Sequence, residues 1–172
     1  LDLKRDAAFV AGHSLGEYSA LAAAGTFTIG DAARLLRIRG DAMQKAVPAG
    51  QGAMAALLGA ELDLAREIAA AAAQGEVCEA ANDNGGGQVV LSGAKAAIDR
   101  AIALAGERGV KRAMLLPVSA PFHCALMQPA ADAMRDALAK VTMQAPVVPV
   151  VANVGAAPLS DQQVLQVGRL VN

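Results

Sequence analysis

Apolar and polar positions fall in blocks along the chain, and the blocks predict an alternation of strands and helices. Residues 7–11 form a short apolar run, read as a buried strand, and residues 17–24 carry a helical pattern that stops at Gly25, a helix-ending residue type. Thr26-Phe27-Thr28 leads into a long helix over 29–46, ended by Val47-Pro48-Ala49-Gly50, a break that marks a candidate boundary. At about 100° per residue, Ala32, Leu35, Leu36, Ala42, Met43 and Ala46 share one face of that helix, and Arg34, Arg37, Asp41 and Lys45 the other.

From Gly52 the spacing changes. Residues 53–58 read as a strand, 61–73 as a helix closed by Gly75, and 77–81 as a second strand. The turn Asn82-Asp83-Asn84-Gly85-Gly86-Gly87 precedes a strand over 88–91, a helix over 94–107 ending near Gly109, and a strand over 112–116. The order βαββαβ predicts a small inserted subdomain of the split-βαβ, ferredoxin-like kind. The chain then returns through a loop over 118–124, an amphipathic helix over 126–141 and a buried β-branched strand over 147–151. Ser160-Asp161 would cap a last helix. The triple glycine is a turn and not a phosphate loop, because no Lys-Ser/Thr ending follows it.

Composition narrows the class. The chain has 172 residues, enough for one substantial core or for one domain with a small insertion. It is 55% hydrophobic, much of it alanine, and only 2% aromatic, which argues against a stacking surface for single-stranded nucleic acid. The net charge of −1 and the lack of a long Lys/Arg cluster leave no nucleic-acid footprint. No apolar run approaches membrane-spanning length. Cys78 and Cys124 are far apart with no Cys-x-x-Cys, which reads as two reduced thiols in a cytoplasmic protein. The two histidines, His13 and His123, stand in no cluster with metal-ligand spacing, so no metal is expected.

The chemistry concentrates at Gly12-His13-Ser14-Leu15-Gly16, a Gly-x-Ser-x-Gly turn between a predicted strand and a predicted helix. Such a turn lifts a serine clear of the sheet, and glycines at 12 and 16 are expected to relieve crowding there. Ser14 is the candidate nucleophile, and the amide of Leu15 points to where an oxyanion would form. The alternative is an inert serine in a structural turn.

A serine nucleophile needs a base within hydrogen-bond reach. His13 is adjacent to Ser14, and neighbours on such a turn diverge. His123, in Pro121-Phe122-His123 on the loop after the insertion, is the better candidate, with a functionless surface histidine as the alternative. Cys124 as nucleophile is disfavoured, since no second histidine is free to pair with it. Arg39 lies in the middle of the apolar face of the long helix, where a guanidinium requires an anionic partner. That partner is either an internal carboxylate, with a snorkelling stem as a further option, or the carboxylate of a substrate held bidentately.

Gly12-His13-Ser14-Leu15-Gly16-Glu17, Arg39-Gly40-x-x-Met43-Gln44, Asn82-x-Asn84 with Gln88-Val89-Val90-x-Ser92-Gly93, and Pro121-Phe122-His123 occur in that order. Together they closely resemble the malonyl-CoA:acyl-carrier-protein transacylases of fatty acid synthesis, over essentially the whole chain. The resemblance implies an α/β fold in which a hydrolase-like parallel-sheet domain, incomplete here, spans residues 1–50 and 118–172. A ferredoxin-like βαββαβ subdomain spans 51–117. It also implies Ser14 as the malonylated nucleophile, His123 as general base and acid, and Arg39 as the holder of the malonyl carboxylate. Leu15 would give an oxyanion-hole amide. Asn84, with Asn82, would lie by the cleft, Met43 would contact substrate, and Phe122 would narrow the space beside the α-carbon, favouring malonyl over methylmalonyl.

The implied partners are malonyl-CoA and acyl carrier protein, with no cofactor, no metal, no nucleic acid and no membrane. The family pattern also has a Gly-Gln-Gly-Ser-Gln segment upstream and a supporting glutamine downstream. Neither is in this sequence, so it is expected to be a central fragment, inactive when isolated. Two other readings compete. A serine esterase of the α/β-hydrolase type would need an acid between serine and histidine; Asp99 would fall inside the insertion, and no other acid stands out. A carrier-protein-binding fragment without activity is the other.

Overall fold

The computed structural model describes residues 2–159, so the helix expected after Ser160-Asp161 lies outside the described residues. The chain divides into two compact units. One is formed by Leu1–Ala42 with Ala131–Asn172, the other by Met43–Ala130. The expected insertion, residues 51–117, falls within the second unit.

The first unit opens with α1 (Leu3–Asp6), capped by the Asp2 side chain, then β1 (Val10–Ala11) and α2 (Gly16–Ala23). α2 ends in a Schellman arrangement: Thr26 N–H donates to Leu21 O at 2.9 Å and Gly25 N–H to Ala22 O at 3.0 Å, with Gly25 at φ +79°. α3 (Ile29–Ala46) starts at Thr28, whose hydroxyl accepts from Asp31 N–H at 3.0 Å. Arg34, Arg37, Asp41 and Lys45 are all exposed, and Leu35 is 1% exposed, as the angular pattern requires.

Later in the chain come β6 (Val150–Val151) and β7 (Pro158–Leu159). β1 and β6 pair in parallel, Val10 opposite Val150, and β7 pairs antiparallel to β6. The sheet of this unit is therefore mixed, where a parallel one was expected. The strand expected over 147–151 is confined to its last two residues. Pro149 has no N–H to give to a ladder, although its carbonyl accepts from Val10 N–H at 3.0 Å. Tyr18, Leu21, Phe27, Leu35, Met134, Leu138 and Val150 form the core of this unit.

The second unit contains β2 (Gly52–Leu58), α4 (Leu62–Ala73), β3 (Cys78–Asp83), β4 (Gln88–Ala94), α5 (Lys95–Glu107) and β5 (Arg112–Leu115). Their sheet order is β3-β4-β2-β5, antiparallel throughout. Ala65, Ile68, Ala69 and Ala72 of α4 and Ala97, Ile98, Ala101 and Ala105 of α5 are buried with Leu57, Val89 and Leu91 of the sheet. The alanine-rich composition thus has a packing use: small side chains bring helix and sheet backbones close. Gly93 belongs to the same economy, because a Cβ there would lie 2.0 Å from Val77 O. A 3₁₀ turn, Ala125–Met127, leads into α6 (Gln128–Leu138), so the helix expected over 126–141 is shorter at both ends. The division between the units falls within α3 and within α6.

Candidate active site

Ser14 sits between β1 and α2 with φ +53°, the left-handed conformation that a strand-to-helix serine turn imposes. Gly12 is required: a Cβ on it would lie 2.0 Å from Gly16 O and 2.7 Å from Glu17 N. Gly16 is not. A Cβ there would meet nothing within 4 Å, which corrects the expected crowding at both glycines. The turn closes with Gly16 N–H donating to His13 O at 2.9 Å and Glu17 N–H to Ser14 O at 3.2 Å. Among the described residues no acceptor takes the Leu15 amide.

Arg39 reaches this turn from α3, its Nη2 donating to Ser14 Oγ at 2.9 Å. No carboxylate among the described residues lies within ion-pair distance of Arg39. Of the two partners open to it, the internal carboxylate is therefore not found, and the guanidinium faces the candidate nucleophile. Glu17 is near enough for the Arg39 charge to favour its ionised form, but burial dominates and pushes its carboxyl above the usual range.

Two further residues belong to this turn, and the sequence reading did not single them out. Asn153, just after β6, accepts from Ser14 N–H through Oδ1 at 2.8 Å. Its Nδ2 donates to Gly12 O at 2.8 Å and to Glu17 Oε2 at 2.9 Å. Asn153 N–H donates to Glu17 Oε1 at 3.3 Å. Glu17 is only 6% exposed. The sequence carried a signal for Glu17, an acid on the inner face of an apolar helix; Asn153 lies at the carboxyl end of a strand parallel to β1, where open α/β sheets place their sites, and only the pairing shows that. A cavity of about 380 Å³ opens beside them, lined by Ala11, Gly12, His13, Val151, Ala152, Asn153 and Ala156.

The second unit holds His123, Phe122, Asn84 and Met43. His123 has φ +58°, so its loop, like that of Ser14, is held in a left-handed conformation. Contacts on either side of His123 support the loop. Cys124 Sγ donates to Pro121 O at 3.2 Å, Glu79 Oε2 accepts from Ala125 N–H at 3.0 Å, and Gln44 Nε2 donates to Ser119 Oγ at 2.6 Å. Pro121 rests on Gly52, where a Cβ would lie 2.3 Å from its Cγ. Burial raises the Cys124 thiol above its ordinary range, which fits a structural thiol better than a nucleophile. Asn84 is exposed in the β3–β4 turn, its N–H donating to Gln88 O at 2.9 Å, and Met43 is buried. Among the described residues no group of three His, Cys, Asp or Glu could hold a metal ion. No helix there is long and apolar enough to cross a membrane.

Comparisons with known proteins agree with one another. The family described as an acyl transferase domain matches residues 4–167. The malonyl CoA-acyl carrier protein transacylase of Escherichia coli K12 is 53% identical over 147 residues, covering 86% of this chain and 48% of the relative. Among solved structures, an acyl-carrier-protein-S-malonyltransferase from Bartonella henselae has a TM-score of 0.93 at 54% identity, covering 99% of this chain and 55% of that one. A malonyl-transacylase solved with its type II PKS acyl-carrier protein has a TM-score of 0.90 at 41% identity, covering 96% and 54%. The chain spans about half the length of the curated relatives it matches.

Proposed function

We propose, from the premise that this chain belongs to the acyl transferase domain family, that it moves a malonyl group from malonyl-CoA to the phosphopantetheine thiol of acyl carrier protein. The transfer serves fatty acid biosynthesis in the cytoplasm and passes through a malonyl-serine. The observation that carries the reading is the 2.9 Å contact between Arg39 Nη2 and Ser14 Oγ. A malonyl thioester has a carboxylate one methylene away from the carbonyl that the serine attacks. A guanidinium beside the serine is placed for that carboxylate and has no use for a neutral ester.

In the first half-reaction a bond forms between Ser14 Oγ and the thioester carbon, and the Oγ proton passes to His123. The oxyanion accepts the Leu15 N–H, the carbon–sulfur bond breaks, and CoA leaves as the thiol with the proton from His123. The second half runs in reverse with the pantetheine thiol as nucleophile. Met43, Asn84 and Phe122 would line the substrate path. Malonyl-CoA and acyl carrier protein are the partners of this reading, and neither nucleic acid nor a membrane enters it.

The architecture belongs to the same proposal: a hydrolase-like α/β domain over 1–50 and 118–172, supported by the parallel β1–β6 pair, and a ferredoxin-like subdomain over 51–117, supported by the order β3-β4-β2-β5. The test is to incubate the intact protein with malonyl-CoA and locate the added mass. A malonyl group on Ser14, passed on to carrier protein, is expected. Equal labelling by acetyl-CoA and malonyl-CoA would reject the arginine clamp, and a label on any other residue would reject the nucleophile.

A further inference from the structure

The backbone of the turn that carries Ser14 is bonded by a side chain from outside it, that of Asn153. Asn153 takes both a donor and an acceptor from the turn at once: its Oδ1 receives Ser14 N–H at 2.8 Å, and its Nδ2 gives to Gly12 O at 2.8 Å. The second Nδ2 hydrogen goes to Glu17 Oε2 at 2.9 Å, and the Asn153 backbone N–H goes to Glu17 Oε1 at 3.3 Å. Every polar group of the asparagine side chain is used.

Glu17 settles which way the amide faces. A carboxylate accepts only, so the NH₂ end of Asn153 must turn toward it, and the oxygen end is left for Ser14 N–H. A flipped amide would set NH₂ against the Ser14 N–H and the carbonyl oxygen against both Gly12 O and the carboxylate. Glu17 is 6% exposed, so water cannot readily replace these bonds.

The arrangement has a consequence for the oxyanion. Of the three amides from Ser14 to Gly16, that of Ser14 is taken by Asn153 and that of Gly16 by His13 O. Leu15 N–H is left without an acceptor among the described residues. We infer that Asn153, oriented by Glu17, is a positioning residue that fixes the Ser14 turn and reserves the Leu15 amide for the oxyanion. This rests on the reading of Ser14 as nucleophile. Neither residue touches the reacting atoms; both act through the backbone of the turn.

The donor–acceptor logic can be reversed in one pair of substitutions, which makes the inference testable without relying on a truncation. Asn153→Asp keeps the acceptor for Ser14 N–H but sets a carboxylate oxygen against both the Glu17 carboxylate and Gly12 O. Adding Glu17→Gln restores the bond between residues 153 and 17 with donor and acceptor exchanged, while the bond to Gly12 O stays lost, so the recovery is partial. In the intact protein, Asn153→Asp is expected to lower kcat for malonyl transfer by about 100-fold, the scale of an ångström-level misplacement at a reacting centre. KM should stay within about threefold. The pair Asn153→Asp with Glu17→Gln should recover at least about tenfold of that loss.

A second readout is the rate at which Ser14 reacts with a fluorophosphonate, which needs the serine and its oxyanion donor but no malonyl group. It should fall and recover in the same pattern. If the wild type reacts with the fluorophosphonate but takes no malonyl group, the transferase reading fails while the variants still decide the inference. An Asn153→Asp protein with wild-type kcat and wild-type fluorophosphonate rate overturns the inference. So does a loss that the paired exchange leaves unrepaired, including a pair that fails to fold. A wild type whose Ser14 is inert to both reagents overturns inference and function together.

Discussion

At the scale of single residues, the two glycines of the serine turn look alike in sequence and differ in physics. A methyl group at Gly12 would overlap the Gly16 carbonyl, so Gly12→Ala should destabilise by about 3 kcal/mol, the upper range for overpacking. Gly16 opens α2 into free space, and Gly16→Ala should be neutral or stabilise by up to about 1 kcal/mol through helix propensity. Urea unfolding of the two variants checks both, and equal losses would show that the turn is not the tight element described.

Arg39 makes a chemical contrast of the same kind. Arg39→Ala should lower kcat/KM for malonyl-CoA by about 100-fold, the usual loss on truncating one partner of a close charge pair. It should leave acetyl-CoA nearly unaffected, because acetyl has no carboxylate to lose. A parallel series of the two thioesters reads the ratio directly. Ser14 and Arg39 were legible as types in patterns: a serine between glycines, an arginine on an apolar face. Asn153 was not, because its role exists only where residue 153 meets residues 12, 14 and 17, a juxtaposition made by the parallel pairing of β1 with β6.

At the scale of elements, legibility followed the length of the period. α3 was readable to its ends because 18 residues give five turns of contrast between faces and a threonine cap in front. β6 and β7 have two residues each, too few for any alternation, and proline sits before one and inside the other. The mixed character of their sheet therefore had no local signature.

Glu17 shows how an element's burial becomes a pH effect. Burial on the inner face of α2 raises its carboxyl above the ordinary value, opposed by the Asn153 bonds and the Arg39 charge. A raised acid favours the folded state most below the pKa of the unfolded chain, and that contribution is lost as pH rises through the folded value. The thermal midpoint of the wild type, minus that of Glu17→Gln, should therefore be largest at about pH 4 and shrink as pH climbs past the ordinary glutamate range. A difference that grows with pH would mean that the hydrogen bonds to Asn153 outweigh burial.

At the scale of the molecule, the two units differ in how completely each closes its own core. In the second, β2 and β4 pair over seven residues from Gly52 opposite Ala94 to Leu58 opposite Gln88, and α4 and α5 cover the sheet with residues wholly removed from water. In the first, β1 and β6 pair over two residues. Backbone hydrogen bonds resist opening according to the cooperative structure that must break to expose them. Amides of β2 and β4 should thus exchange with solvent only on opening of their whole unit, whereas those of β1 and β6 should exchange through smaller openings. A gap of about 2–3 kcal/mol, on the order of 100-fold in protection, is expected between the two sets. Native-state hydrogen exchange at increasing denaturant measures it. Protection of β1 and β6 equal to that of β2 and β4 would show that the serine turn is anchored by a unit as stable as its neighbour. The positioning of Ser14 would then rest on the sheet rather than on the Asn153 bridge alone.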